Sequence, residues 1–296
     1  MMPRSRLAAA VLAVVLTACG GPAAVETTTT TTTSTTTTAP PASAPTTIPG
    51  APAYDHLAAT FTYGFDLVGE VHALPGTGER PVVVTVHGGG WYGGSRFSLG
   101  PLADALAGRD VVAVNVSYRT GSEGGGYPAT FDDVACAIRH AAVAAAPYTT
   151  TPERIVVVGH SAGAHLGAVA VMSDVFGADC DAPAAPVTGF VGLAGPYDTD
   201  LLAFALERFF GTDPEVDPAP WEAGNPFTYA AERPDVAFLL LHGDADEVVA
   251  LSFAEDFAAA LEAGGHAVEL QVLPGIDHAQ VADPLVVADL IAAFAR

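Results

Sequence analysis

Ser161 stands in the run Gly159-His160-Ser161-Ala162-Gly163, directly after the β-branched stretch Ile155 to Val158 and at the head of an alanine-rich stretch beginning at Ala162. A hydroxyl on a tight strand-to-helix turn needs small neighbours, which the flanking glycines supply. The helix N-terminus then turns free amides and a positive dipole end toward any negative charge that develops nearby. That chemistry is nucleophilic attack on an acyl carbon; the plain alternative is a serine that merely caps a helix. A hydroxyl is a weak nucleophile without a base and a group to orient that base. Among nine histidines, His278 in Gly275-Ile276-Asp277-His278 combines a position after Ser161 with a loop following a strand-like run. His87 belongs to a glycine loop that it orders, His160 and His165 flank the serine, His242 sits too close to its strand, and His72, His140 and His266 occupy ordinary element positions. Two carboxylates, Asp244 and Asp246, stand in the loop after Phe238 to Leu241. A second glycine cluster, His87-Gly88-Gly89-Gly90-Trp91, follows the run Val82 to Val86. Glycines let backbone amides approach an oxyanion closely.

The elements that must position these groups alternate. Short runs apolar on both faces, Val82 to Val86, Val111 to Val116, Ile155 to Val158, Gly189 to Leu193, Phe238 to Leu241 and Val268 to Val272, suit strands covered on both sides. Helical spacing marks Phe131 to Ala146, Ala162 to Met172, Ser252 to Ala263 and Pro284 to Phe294, with Gly264-Gly265 as a stop after the third. The alternation predicts an α/β fold, a mostly parallel sheet flanked by helices. Phe61 to Leu74 alternates and is expected to turn at Gly69, as an antiparallel pair at the sheet edge. Pro196 to Pro234, rich in proline and aromatic residues, breaks the rhythm and is expected to form a cap or lid (residues 196–234). Tyr118-Arg119 with Asp132-Asp133 reads as a structural ion pair.

On the motifs His87-Gly88-Gly89-Gly90-Trp91, Gly-His-Ser-Ala-Gly-Ala-His-Leu around Ser161, and His242-Gly243-Asp244-Ala245-Asp246-Glu247-Val248, the chain resembles the α/β-hydrolase superfamily. The resemblance is to its H-G-G-G branch of hormone-sensitive-lipase-like, arylformamidase-like and feruloyl-esterase-like members. It extends over nearly all of residues 60 to 296. It implies a serine, acid, histidine order of Ser161, Asp246 and His278, with Asp246 preferred to Asp244 by the H-G-x-x-D-x-x-V match. It implies oxyanion donors at the amides of Gly89, Gly90 and Ala162, and hydrolysis of a carboxylic ester through an acyl-enzyme on Ser161. Arylformamidase-like amide hydrolysis and carbohydrate-linked acetyl or feruloyl esters are alternatives within the same branch. A non-catalytic surface binding protein on a hydrolase scaffold is an alternative outside it. Trp91, Tyr92 and Tyr197, with Tyr127 and Trp221, are candidates to line a substrate pocket or to fill the core.

The first eighteen residues read as an export signal: Arg4 and Arg6, then an apolar run from Leu7 to Thr17 too short to span a bilayer. Leu16-Thr17-Ala18-Cys19 resembles a bacterial lipobox, which implies acylation of Cys19 and a membrane contact through that anchor. Residues 19–53, with Thr27 to Thr38 unbroken except for Ser34 and then five prolines, lack the apolar content to fold and should form a spacer with a reach on the order of 100 Å. Residues 54–296 are then the catalytic domain, and the location is exported, lipid-anchored on the outer face or secreted. Arg4 and Arg6 are the only charges in the leader, so its loss takes the formal charge from −22 to −24, and all eleven basic residues are arginine. So acidic a chain is not expected to bind nucleic acid or anionic headgroups, and it favours neutral or cationic small-molecule or carbohydrate-linked substrates. Cys136 and Cys180 remain as one candidate disulfide pair. The histidines and acids show no metal-ligand spacing and the glycines no dinucleotide fingerprint, so no metal or cofactor is expected.

Overall fold

A computed structural model describes residues 54–296. The export signal, Cys19 and the threonine-proline stretch lie outside the described residues. Eight strands form one sheet: β1 (Leu57–Tyr63), β2 (Leu67–His72), β3 (Val82–Val86), β4 (Val112–Val116), β5 (Ile155–His160), β6 (Val187–Leu193), β7 (Ala237–Gly243) and β8 (Val268–Leu273). Their order is β1-β2-β4-β3-β5-β6-β7-β8, antiparallel from β1 through β2 to β4 and parallel from there to β8.

Seven helices join them: α1 (Gly100–Ala107), α2 (Ala129–Ala145), α3 (Ala162–Met172), α4 (Ala203–Phe210), α5 (Ala219–Gly224), α6 (Ser252–Gly264) and α7 (Pro284–Phe294). The period of two along each strand divides the apolar residues between two cores. Val83, Val156, Val158, Leu239 and Leu241 pack with α1 and α7 on one face. Val82, Val84, Val86, Val157, Phe238 and Leu240 pack with α2, α3 and α6 on the other. Both faces are covered, which is why the central strands read as unbroken valine and leucine runs rather than alternating ones.

The edge pair differs from its expectation in where it turns. Gly64 and Asp66, both at positive φ, make the turn between β1 and β2. Gly69 lies inside β2, paired opposite Phe61, whose ring covers the space a Cβ would need there. The glycine serves close approach of an aromatic ring, not a reversal of the chain. Helix α1 is an addition to the sequence expectations. It opens with Pro101 in its first turn and buries Leu102 and Leu106. Residues 196–234 lie between β6 and β7 and contain α4 and α5. Cys136 of α2 and Cys180, in the loop after α3, form a disulfide.

Candidate active site

Ser161 occupies the turn between β5 and α3 at φ 53 and ψ −124, a region a non-glycine residue enters at a cost of about 1–3 kcal/mol. The surroundings enforce it. The Ser161 amide donates to the carbonyl of Leu193 at 2.8 Å. Gly159 and Gly163 pack so tightly that a Cβ on the first would meet the backbone of Gly163 and Ala164, and a Cβ on the second the carbonyls of Val86 and His87. Helix α3 behind the turn is almost wholly buried and made of small and aliphatic residues, so the serine sits on a rigid support.

Three loops at the C-terminal ends of the parallel strands meet over this turn. His278, after β8, places Nε2 2.9 Å from Ser161 Oγ. Its Nδ1 lies 2.8 Å from Asp246 Oδ2, in the loop after β7. The Asp246 side chain is buried, and its other oxygen accepts the amides of Val248 and Val249, each at 2.8 Å. A carboxylate only accepts, so Nδ1 of His278 carries the proton and Nε2 is the bare nitrogen facing the hydroxyl. His242 supports the same carboxylate: its Nε2 donates to the Val249 carbonyl at 2.9 Å and lies 3.5 Å from Asp246 Oδ2. Burial holds the His242 pKa below the ordinary histidine range. Asp244 has a different place. It accepts the Gly275 amide at 2.6 Å and so braces the loop that carries His278.

The glycine loop lies against Ser161 from the side of β3. A Cβ on Gly88 would stand 3.0 Å from Ser161 Cβ and 2.8 Å from the His160 carbonyl. Gly89 and Gly90 adopt φ 132 and 61, and the Gly93 amide closes the turn onto the Gly89 carbonyl at 3.0 Å. Among the described residues, the amides of Gly89, Gly90 and Ala162 donate to no protein acceptor. His87 is not a base. Its Nδ1 donates to the Gly88 carbonyl at 2.8 Å, its ring stacks on Tyr118 at 4.2 Å, and burial pushes its pKa down to about 4. Tyr118 in turn donates to the His87 carbonyl at 2.7 Å. Arg119 forks onto Asp133 at 2.7 and 2.8 Å, a structural pair at the base of this loop.

The aromatic candidates separate. Trp91, at φ 64, is buried and donates from Nε1 to His165 Nδ1 at 3.1 Å. Tyr92 is half-buried between Phe209 and Arg208 of α4, at the rim. Tyr197 does not line the open site. It is fully buried and stacks on Phe257 of α6 at 4.2 Å, because its loop turns back into the core after β6. Trp221 is likewise buried, stacked on Phe210. His165, which the sequence marked only as a neighbour of the serine, is a junction. It accepts from Trp91 and donates from Nε2 to the Gly224 carbonyl of α5 at 2.8 Å, while burial lowers its pKa to about 4. It thereby ties the glycine loop and α3 to the inserted segment.

One set of four metal-ligand types comes together among the described residues: Cys136, His140, Cys180 and Asp181. Its two sulfurs are joined to each other, which leaves one imidazole and an exposed carboxylate, too few donors for a closed site. No described helix is long and apolar enough to cross a membrane.

Comparison with known proteins agrees with this architecture. The BD-FAE family model matches residues 73–261, a stretch that carries the glycine loop, Ser161 and Asp246. This chain belongs to the BD-FAE family. It is 32% identical over 215 residues to Esterase LipQ of Mycobacterium tuberculosis, covering 68% of this chain and 50% of that protein. It is 43% identical over 90 residues to Carboxylesterase NlhH of the same organism, covering 30% of this chain and 28% of that protein. The chain thus spans half or less of the length of these two relatives. Among solved structures, a thermophilic esterase of Thermogutta terrifontis with propionate bound superposes with a TM-score of 0.67 at 25% identity, over 83% of this chain and 94% of that one.

Proposed function

We propose that this BD-FAE family member is a serine esterase that cleaves a carboxylic ester through an acyl-enzyme on Ser161. The observation that carries the reading is the continuous chain Oγ–Nε2–Nδ1–Oδ2 linking Ser161, His278 and Asp246 at 2.9 and 2.8 Å. Ser161 attacks the ester carbonyl while His278 Nε2 takes its proton. Asp246 keeps the imidazole in the required tautomer and stabilises its charged form. The tetrahedral oxyanion rests on the amides of Gly89, Gly90 and Ala162. His278 returns the proton to the leaving alkoxide, and water, deprotonated by the same imidazole, then releases the acid. The esterase names of the relatives support this class of reaction. The formal charge of −22 favours esters of neutral or cationic alcohols.

The test is labelling by a fluorophosphonate probe together with hydrolysis of p-nitrophenyl acetate. Both are expected in the wild-type chain and lost in Ser161→Ala. A probe adduct on another residue, or turnover unchanged in that variant, refutes the assignment. The same reading places the catalytic body outside the cell on an acylated Cys19, at the end of the threonine-proline spacer. Cys19→Ser is then expected to move the protein from the detergent phase to the aqueous phase on Triton X-114 partition, and an unchanged partition rejects the anchor.

A further inference from the structure

His160 is the last residue of β5 and the immediate neighbour of the nucleophile. Its side chain does not point away from the chemistry. Nε2 lies 2.9 Å from the main-chain carbonyl of His278, and the two imidazole centroids are 5.0 Å apart. A carbonyl only accepts, so Nε2 of His160 carries the hydrogen and donates it. The other nitrogen, Nδ1, faces the glycine loop: a Cβ on Gly88 would stand 3.1 Å from it. The ring is therefore wedged between the loop bearing the oxyanion amides and the backbone of the general base, two segments far apart in sequence. Burial, the larger cause, and the neighbouring His278 imidazole hold its pKa down to about 4. It stays neutral while His278 gains its charge, and it adds no second positive charge beside it.

We propose that His160 is a positioning residue: it fixes the His278 backbone to the same strand end that carries Ser161, so that base and nucleophile are registered by one rigid element. This inference rests on the serine esterase reading above. The base otherwise hangs on a loop after the edge strand β8, with an exposed Asp277 beside it. Asp244 and Asp246 hold that loop from the β7 side, and the bond from His160 adds a main-chain tie to β5 at the centre of the sheet. A displacement of the base by a fraction of an ångström acts on the proton-transfer geometry and not on ground-state binding, so its signature is a loss of kcat with KM held.

The experiment compares His160→Gln with His160→Asn. The glutamine amide reaches the position of Nε2 and can still donate to the His278 carbonyl; the asparagine amide ends near the position of Nδ1 and cannot. Both are polar and of similar bulk, and thermal melting of each sample checks that it is folded. With p-nitrophenyl acetate, Asn is expected to lower kcat by about 10- to 100-fold with KM changed by less than about threefold, and Gln to recover most of that loss. Equal kcat for the two variants, or a loss carried by KM, overturns the positioning role. If one variant melts below the assay temperature, the rate of fluorophosphonate labelling at 10 °C replaces turnover, with the same expected order. Wild-type protein that neither turns over nor labels would overturn the esterase reading itself, an outcome distinct from active wild type with an indifferent residue 160.

Discussion

On the proposed mechanism, replacing Asp246 by Asn separates a catalytic carboxylate from a structural one. Asp246 Oδ1 accepts two amides, from Val248 and Val249, both at 2.8 Å, while Oδ2 accepts the His278 Nδ1 proton at 2.8 Å. In the variant the amide oxygen stays with the two backbone donors, so the NH₂ group is forced to face His278. Two donors cannot share that contact. The imidazole must then take the other tautomer, with its hydrogen on Nε2 pointing at Ser161 Oγ, where it can accept no proton. Recovering the active tautomer leaves a buried donor unsatisfied, at about 1–3 kcal/mol. The imidazolium of the transition state also loses its carboxylate, worth about 4 kcal/mol for charges about 4 Å apart at an effective dielectric near 20. Together these correspond to a fall in kcat of about four decades. The assay is p-nitrophenyl acetate hydrolysis at saturating substrate, with thermal melting as a control, since both backbone contacts persist. Asp244→Asn is the comparison: it touches only the Gly275 amide and is expected to cost less than about tenfold. Asp246→Asn within tenfold of wild type, or an equal loss in both variants, would refute the reasoning.

Two further outcomes follow from buried groups. His87, His160 and His165 are each held at about 4 by burial, against 6.5 when exposed in the unfolded chain. Between these values the unfolded state binds up to three more protons than the native one, so stability is full above pH 6.5 and is lost as pH falls toward 4. The slope approaches about 4 kcal/mol per pH unit at its steepest. Urea midpoints at pH 7.5, 6 and 5 measure it, and midpoints that do not fall with pH would contradict the burial argument. The Cys136–Cys180 disulfide closes a separation of 44 residues, for which chain entropy predicts about 4 kcal/mol of stabilisation. Reduction is expected to lower Tm by roughly 10 °C in a domain of this size. An unchanged melt in a dithiol reductant, with thiol titration showing two free sulfhydryls, would oppose that.

Local chemistry made part of this molecule legible in its sequence. Helices α3 and α7 have the bounds their alanine and leucine spacing predicts, and strands β3 to β7 read as apolar runs because both sheet faces are covered there, whereas the edge strand β8 is partly exposed and carries Glu269 and Gln271 between its apolar residues. Ser161 and Asp246 stand out by the motifs around them, and His278 by its place in the loop after the last strand-like run. Residues whose role depends on who stands opposite were not legible. Gly69 looks like a turn until Phe61 is placed across from it. Tyr197 looks like a pocket aromatic until β6 turns its loop into the core beside Phe257. The cysteine pair needs the return of the chain after α3 to α2. His160, His165 and His242 could be excluded as bases from sequence, but their work as donors to particular carbonyls required coordinates. The one available sign was that two of them sit within four residues of Ser161.

The bond from His165 to the Gly224 carbonyl sets a rule for diversification. Residues 196–234 leave and re-enter the sheet at adjacent strands, so their exposed side chains, Leu201, Phe204 and Val216 among them, can be rewritten while the strands keep their register and Tyr197, Leu206, Phe209 and Trp221 keep their places in the core. Beyond those core residues, what cannot be given up freely is an acceptor at that one point. A replacement segment without a carbonyl there would strand a buried imidazole hydrogen beneath Trp91. Chimaeras that graft a foreign insertion onto this scaffold should therefore be screened first for that single backbone oxygen, and only afterwards for the shape of the mouth.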